Sequence, residues 1–431
     1  MKHLSALILL STFSLAASSQ SIVHPKIGAT ASSADGAVTL TLVGKKQNFG
    51  GDTATRDTDI NSPKSVNVHP SGKKYYVNSL EGGTTIAYNF ETNEKIKVIR
   101  HNFTQKDRHL WSKPSGIYEF THYTKTDPFT FMGKPVESTF THGGKYLWVP
   151  YYRRSFDINA QDPSAVAIID TEKDEIIRMM ETGPLPKMIA TSPDGRYVAI
   201  SCWGNNTVGL IDISSQKPED WHHVCKLVVD YELKLNFSLT SSVDRDNGSG
   251  YALRGTVFTA DNHYLFVGCM GGGGGIAVID MQKREYLGRI LGMMSNVRHL
   301  VIKNDYLYLS INSGGYVQRI PLQDFLDAIP KLKGKKTYTL NGWTNCKVGT
   351  GARTIELSPS GRYIFAACNN VSKLCVADTR TMKQIAEIAV DSYPVGLDIS
   401  KDGKYVFVTS QGRSNGGGNA VNIYKVDYKK K

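Results

Sequence analysis

KMIATSPDGRYVAISCWGNNTVGLIDIS, residues 187–214, decides the fold. Small and β-branched residues alternate with aromatics on either side of Ser192-Pro193-Asp194-Gly195. That alternation is the period of a half-buried strand. The tetrapeptide is a hairpin turn: proline presets φ, and glycine accepts a positive one. A third strand follows from Thr207 and ends at Asp212. The same unit returns as RTIELSPSGRYIFAACNNVSKLCVADTRTMKQIAEIAV (353–390), VGLDISKDGKYVFVTSQ (395–411) and KSVNVHPSGKKYYVNS (64–79). Seven such segments begin at Lys64, Val136, Lys187, Arg254, Arg298, Arg353 and Val395. Third strands end at Asp170, Asp212, Asp280 and Asp378. A fourth, more polar strand follows, as at Glu175 to Met180 or Gln384 to Val390. Repetition at this period, with four antiparallel strands per unit, predicts an all-β, seven-bladed β-propeller.

The seventh unit has only three strands before the chain ends. Residues 37–45, AVTLTLVGK, alternate like a strand ahead of the first unit. They are expected to complete the last blade and remove its open edge. On Ser192 to Gly195, Asn206-Thr207-Val208 and Val406-Phe407-Val408-Thr409, the chain resembles the YVTN-type β-propeller repeats, whose pattern runs roughly SPDGxxLYVTN and then NTVSVIDT. The resemblance covers nearly all of residues 37–428. It implies an exported seven-bladed propeller of the lactonase-like superfamily and leaves function open, because that family is mixed. Where the pattern ends in Asn, three units here carry Cys202, Cys269 and Cys368. These read as small, semi-buried residues near the end of a second strand, with a metal site as the alternative. The six cysteines permit disulfides in an exported chain, and Cys346 with Cys368 is the first pair to check.

Residues 1–19 read as a signal peptide: Lys2, an apolar run from Leu4 to Ala17, then small residues. Residues 20–36 are expected to form an N-terminal tail, 37–428 a single propeller, and 429–431 a basic tail. No other stretch is long and apolar enough to span a bilayer. The expectation is therefore a periplasmic, cell-surface or secreted monomer without a transmembrane segment. A formal charge of +12 favours anionic partners. Nucleic acid is a possible but not favoured partner. Longer insertions fall at about 103–133, 150–164, 231–253 and 322–332, the last reading as a short helix. The first carries Trp111, Tyr118, Phe120, Tyr123, Phe129 and Phe131.

In a propeller the first residues of the inner strands ring the mouth of the central channel. Here that ring reads Lys64, Val136, Lys187, Arg254, Arg298, Arg353, Val395. Five of its seven positions are basic, and like charges this close are costly unless solvated or met by an anion. Inherited repeat chemistry and a water-filled mouth are the plain alternatives. Glu137 and His299 flank the ring; Trp203, Tyr151 and Arg153 stand in loops that would form its rim and stack on a sugar or aromatic group. Gly271 to Gly275 lacks the helix that a phosphate loop needs, and His222-His223 lacks metal spacing. No cofactor or metal is expected. The favoured function is a binding protein for an acidic glycan, a cell-wall fragment or a phosphorylated small molecule. A lactonase-like hydrolase or lyase using Glu137 and His299 is one alternative; a scaffold or adhesin whose insertions meet a protein partner is another.

Overall fold

The computed structural model describes residues 22–49, 53–120, 127–234, 245, 247–412 and 417–429. The signal peptide expected over residues 1–19 lies outside them, as do Tyr123 and the last two lysines.

Ser192 shows how each hairpin is fixed. Its Oγ accepts the Tyr197 N–H at 2.8 Å and donates to Asp194 Oδ1 at 2.6 Å, while Gly195 takes φ +71°. Ser358 and Ser400 do the same for Tyr363 and Tyr405. In blade 3 the strands Pro186–Thr191, Tyr197–Cys202, Thr207–Asp212 and His222–Val228 then pair in sequence order. Seven sheets with this four-stranded antiparallel core make the ring, so the chain is an all-β, seven-bladed propeller. The carboxylates that end third strands cap the next turn: Asp280 Oδ1 accepts the N–H groups of Gln282 and Lys283.

The core lies between blades. Seven clusters of buried apolar residues each join two neighbours, as where Val208 and Leu210 of blade 3 meet Leu265 and Val267 of blade 4. Blade faces are thus apolar on both sides, which is why third strands such as Ser164–Asp170 are buried throughout. Helix Leu322–Ala328, in the fourth insertion, lays Phe325 and Ala328 into one such cluster.

The last blade is closed by the N-terminal strand, Val38–Gln47, which pairs antiparallel with Ala420–Tyr428, Leu42 opposite Tyr424. Thr30–Ser32, inside the stretch read as a tail, adds one strand beyond it. Asp391 fastens the junction. It is fully buried, and its carboxylate meets Lys45 Nζ at 2.8 Å, His24 Nδ1 at 2.7 Å and the Asn422 amide at 2.7 Å.

All six cysteines are unpaired. Cys202, Cys269 and Cys368 do end second strands and are buried. Cys346 and Cys368 form no disulfide; the thiol beside Cys368 is that of Cys375, across the hairpin, and raises it. Residues 150–164 are not one loop. The second strand of blade 2 runs through Pro150 as Tyr146–Arg154, and the Pro150 carbonyl accepts the Val136 N–H at 3.1 Å. The described aromatics of the first insertion turn inward: Tyr118 and Phe131 are buried, and Trp111, Phe120 and Phe129 are half-buried.

Candidate functional site

Each basic ring residue sits where the inner strand carries one residue more than its partner. In blade 1, Pro63 opposes Ser79 and Ser65 opposes Asn78, leaving Lys64 over. Lys187 is left over in the same way between Pro186 and Met188. The extra residue recurs at Arg254, Arg298, Arg353 and Val395, and in blade 2 between Pro135 and Thr139. All seven blades therefore bulge at the ring, and a bulge re-aims the side chain it carries. Two residues earlier the backbone turns left-handed in six blades: Ser62, Leu185, Ala252, Asn296, Gly351 and Tyr393 all have φ between 50° and 82°. Each of their carbonyls accepts an N–H from just beyond the second strand, such as that of Trp203 on Leu185 at 2.8 Å.

Neighbouring blades pin the ring backbone. The Ser310 hydroxyl donates to the Arg353 carbonyl at 2.6 Å, Thr354 to that of Val395 at 2.8 Å, and Ser65 to that of Val136 at 2.6 Å.

The ring is a recessed constriction rather than an open rim. Lys64, Arg254 and Arg353 are only 5%, 3% and 6% exposed; Lys187 and Arg298 are half-buried. Burial first, then the neighbouring guanidinium groups, holds Lys64 and Lys187 well below the usual lysine range. Arg298 is pushed down by burial and by Arg353 and Arg254. Arg353 is lowered by burial; Tyr393, to which it hydrogen-bonds, and Glu137 oppose that. Glu137 Oε1 lies 3.9 Å from Arg254 Nη2, reaching across from blade 2 to blade 4, and it acts on Lys64, Arg298, Arg353 and His299 as well. It is the carboxylate that faces all of these groups. Among the described residues Lys64 Nζ makes no hydrogen bond or ion pair, and the buried Nε atoms of Arg298 and Arg353 have no partner. Uncompensated buried charge costs on the order of several kcal/mol per ion.

The flanking residues divide. Trp203 and Arg153 are at the ring: Lys187 Nζ sits 5.1 Å from the Trp203 ring centre, and Arg153 is among the cations that lower Lys187. Tyr151 is not. It is fully buried between blades 1 and 2, its hydroxyl 2.8 Å from His101 Nδ1, with Phe103 and Phe131 around it. An irregularity between Tyr151 and Arg154 breaks the alternation and puts Tyr152 as well as Arg153 by the ring, the Tyr152 ring centre 3.8 Å from Lys187 Nζ. Tyr152 and Tyr393 are the site residues that the sequence reading passed over. For Tyr152 no local signal was available, because the register shift between Tyr151 and Arg154 is a property of the strand pair.

Glu137 and His299 also line one cavity of about 360 Å³. His299 is held by Nδ1 on the Ile355 carbonyl at 3.0 Å, and burial, opposed by Glu137, lowers its pKa. No hydrogen bond joins the two side chains. Among the described residues no group of three His, Cys, Asp or Glu stands ready for a metal, and no helix is long and apolar enough to cross a membrane.

No family model matches the chain. Over 206 residues, 42% of this chain and 40% of the other, it is 26% identical to Antigen Lp49 of Leptospira interrogans serogroup Icterohaemorrhagiae serovar copenhageni. The chain thus spans well under half the length of that relative. Among solved structures it is similar to Kuenenia stuttgartiensis hydrazine synthase, with a TM-score of 0.57 and 14% identity over 88% of this chain and 99% of that one. It is likewise similar to the β-propeller domain of Myceliophteria thermophila Cps50 (Swd1), with a TM-score of 0.58 and 11% identity over 85% and 97%. At these identities the likeness is one of fold, shared by proteins of varied function.

Proposed function

We propose that this chain is an exported, non-catalytic binding protein whose central channel takes an anionic ligand at Lys64, Lys187, Arg254, Arg298 and Arg353. The observation that carries this reading is the recessed ring itself: five cations converge on one constriction and face one carboxylate, Glu137. An anion there would offset repulsion that the fold otherwise bears, and the arginines would grip a carboxylate or phosphate with paired bonds. Tyr152 and Trp203 give such a ligand an aromatic wall. An acidic glycan, a wall fragment and a phosphorylated small molecule all suit this chemistry. Export rests on the apolar run after Lys2, and the partial likeness to a protein named an antigen accords with it. Glu137 turned to Arg254 rather than to His299 supports binding over a hydrolytic pair. The inward-turned aromatics of the first insertion support the channel over an adhesive surface.

The test is a binding screen against anionic glycans, phosphorylated sugars and single-stranded DNA at low and physiological salt, with the Arg254→Ala/Arg298→Ala/Arg353→Ala variant alongside. A small anion bound by the wild type at physiological salt and weakened at least about 100-fold in the variant is the expected result. Binding that fades with salt and ignores the substitutions would mean bulk charge alone.

A further inference from the structure

The channel does not carry one sign of charge along its length. The cavity that begins at Glu137 and His299 continues between the inner strands to Glu356 and Asp398. Glu356 lies three residues beyond Arg353 on the same inner strand, and Asp398 three beyond Val395 on the next. Three strand residues advance roughly 10 Å. The wall between is uncharged, threonines such as Thr139, Thr191, Thr256 and Thr354 alternating with apolar residues such as Ile189 and Val301. The ring cations do not line this cavity themselves, but Glu137, which does, lies 3.9 Å from Arg254 Nη2, so the cations stand just beyond one end and the carboxylates at the other.

At the carboxylate end neither acid is paired with a cation. Among the described residues the Glu356 carboxyl group makes no hydrogen bond or ion pair; Lys303 acts on it only through space. Asp398 accepts the Val68 N–H at 2.6 Å and the Ile399 N–H at 2.8 Å. Burial and then Asp398 push Glu356 up to about 8, and burial pushes Asp398 up to about 7. Glu356 and Asp398 share one cavity and, among the described residues, neither makes an ion pair, so that end is short of a cation. The second observation is independent of them: Lys64, only 5% exposed as a residue, has no hydrogen-bonding partner for its side-chain nitrogen and marks the other end as short of an anion. One molecule with opposite charges at its two ends meets both needs.

We infer that the ligand is a zwitterion, its carboxylate or phosphate held by the basic ring and a protonated amine, roughly 10 Å away, held by Glu356 and Asp398. This rests on the ring reading above and narrows it: a simple dianion would fill half the site. The uncharged wall passes an aliphatic or peptidic linker between the ends.

The experiment is calorimetric titration of the mature chain with ω-amino carboxylates of increasing length, each against the matched carboxylate without the amine, and with inorganic phosphate. Wild type, Glu356→Gln/Asp398→Asn and Arg254→Ala/Arg298→Ala are compared, with thermal unfolding to verify folding. An amine preference of about tenfold or more at one chain length is expected. The Gln/Asn variant should lose that preference while keeping its affinity for the amine-free carboxylate and phosphate; the arginine variant should lose all three. Equal binding with and without the amine at every length, or a preference that survives in the Gln/Asn variant, overturns the zwitterion and leaves the ring standing. Anions that bind the arginine variant as tightly as wild type overturn the ring itself, and the zwitterion with it.

Discussion

Lys64 and Lys187 sit among arginines, and their depressed basicity has a sign that can be tested. A lysine held below its usual range binds its proton less tightly in the free protein, and an anion tightens that hold. Ligand binding should therefore take up protons and weaken as pH rises toward the ordinary lysine range. Titrations in buffers of different ionisation enthalpy would read that uptake directly. The carboxyls of Glu356 and Asp398 run the other way. Their folded values, about 8 and about 7, lie above those of the unfolded chain. The native state then binds protons more tightly, and the stability this supplies is full in acid and lost as pH rises through the folded values. Relative to wild type, Glu356→Gln should gain on the order of 2 kcal/mol between about pH 5 and about pH 9, as screening by channel water discounts the full shift. Urea unfolding at several pH values would measure it; a constant difference would remove Glu356 from the account.

The inner strand is the element that builds the site, through two irregularities repeated around the ring. A left-handed residue turns the chain in, and one extra residue two positions later points the cation at the axis. At Gly351 both space and dihedral demand glycine: φ is +82°, and an added Cβ would lie 2.0 Å from Asn369 Oδ1. Gly351→Ala should cost about 1–3 kcal/mol and weaken anion binding by displacing Arg353. Denaturant midpoints and the ligand titration would check both. Strands and turns of this element were legible because Ser-Pro-Asp-Gly and period-2 alternation are local signals. The bulge was not, since it is a mismatch between two strands and neither strand shows it alone. Pro150 misled for a related reason: it reads as a strand end, yet its carbonyl still serves the neighbouring segment. The ring was found by aligning repeats, but its depth was invisible. How far a ring cation is covered depends on residues from other segments, as where Tyr152 and Trp203 lie against Lys187 and Tyr393 hydrogen-bonds to Arg353.

The whole molecule is a closed circle of interfaces, and the seam lies where Val38–Gln47 meets Ala420–Tyr428. Removing residues 22–47 would bare the edge of Ala420–Tyr428 and leave Asp391 buried without Lys45 or His24. Such a truncation should lose cooperative unfolding and associate through that edge, which light scattering would detect. A milder variant, Lys45→Met, should cost about 3–5 kcal/mol by stranding the Asp391 charge. The closing strand was legible because the count of strands in the last repeat came out one short. The clamp on Asp391 was not, because its partners lie at opposite ends of the chain.

That seam also sets an order of events. Leu42 is among the first residues of the propeller to be synthesised, and its partner Tyr424 among the last. The blades between can form locally, each from a contiguous run of chain, but the final pairing must close a loop nearly as long as the protein. Loop closure of that span is slow and entropically costly. A chain that cannot finish folding until its final strand has been made remains threadable through most of its synthesis, so the geometry of the ring doubles as a timer.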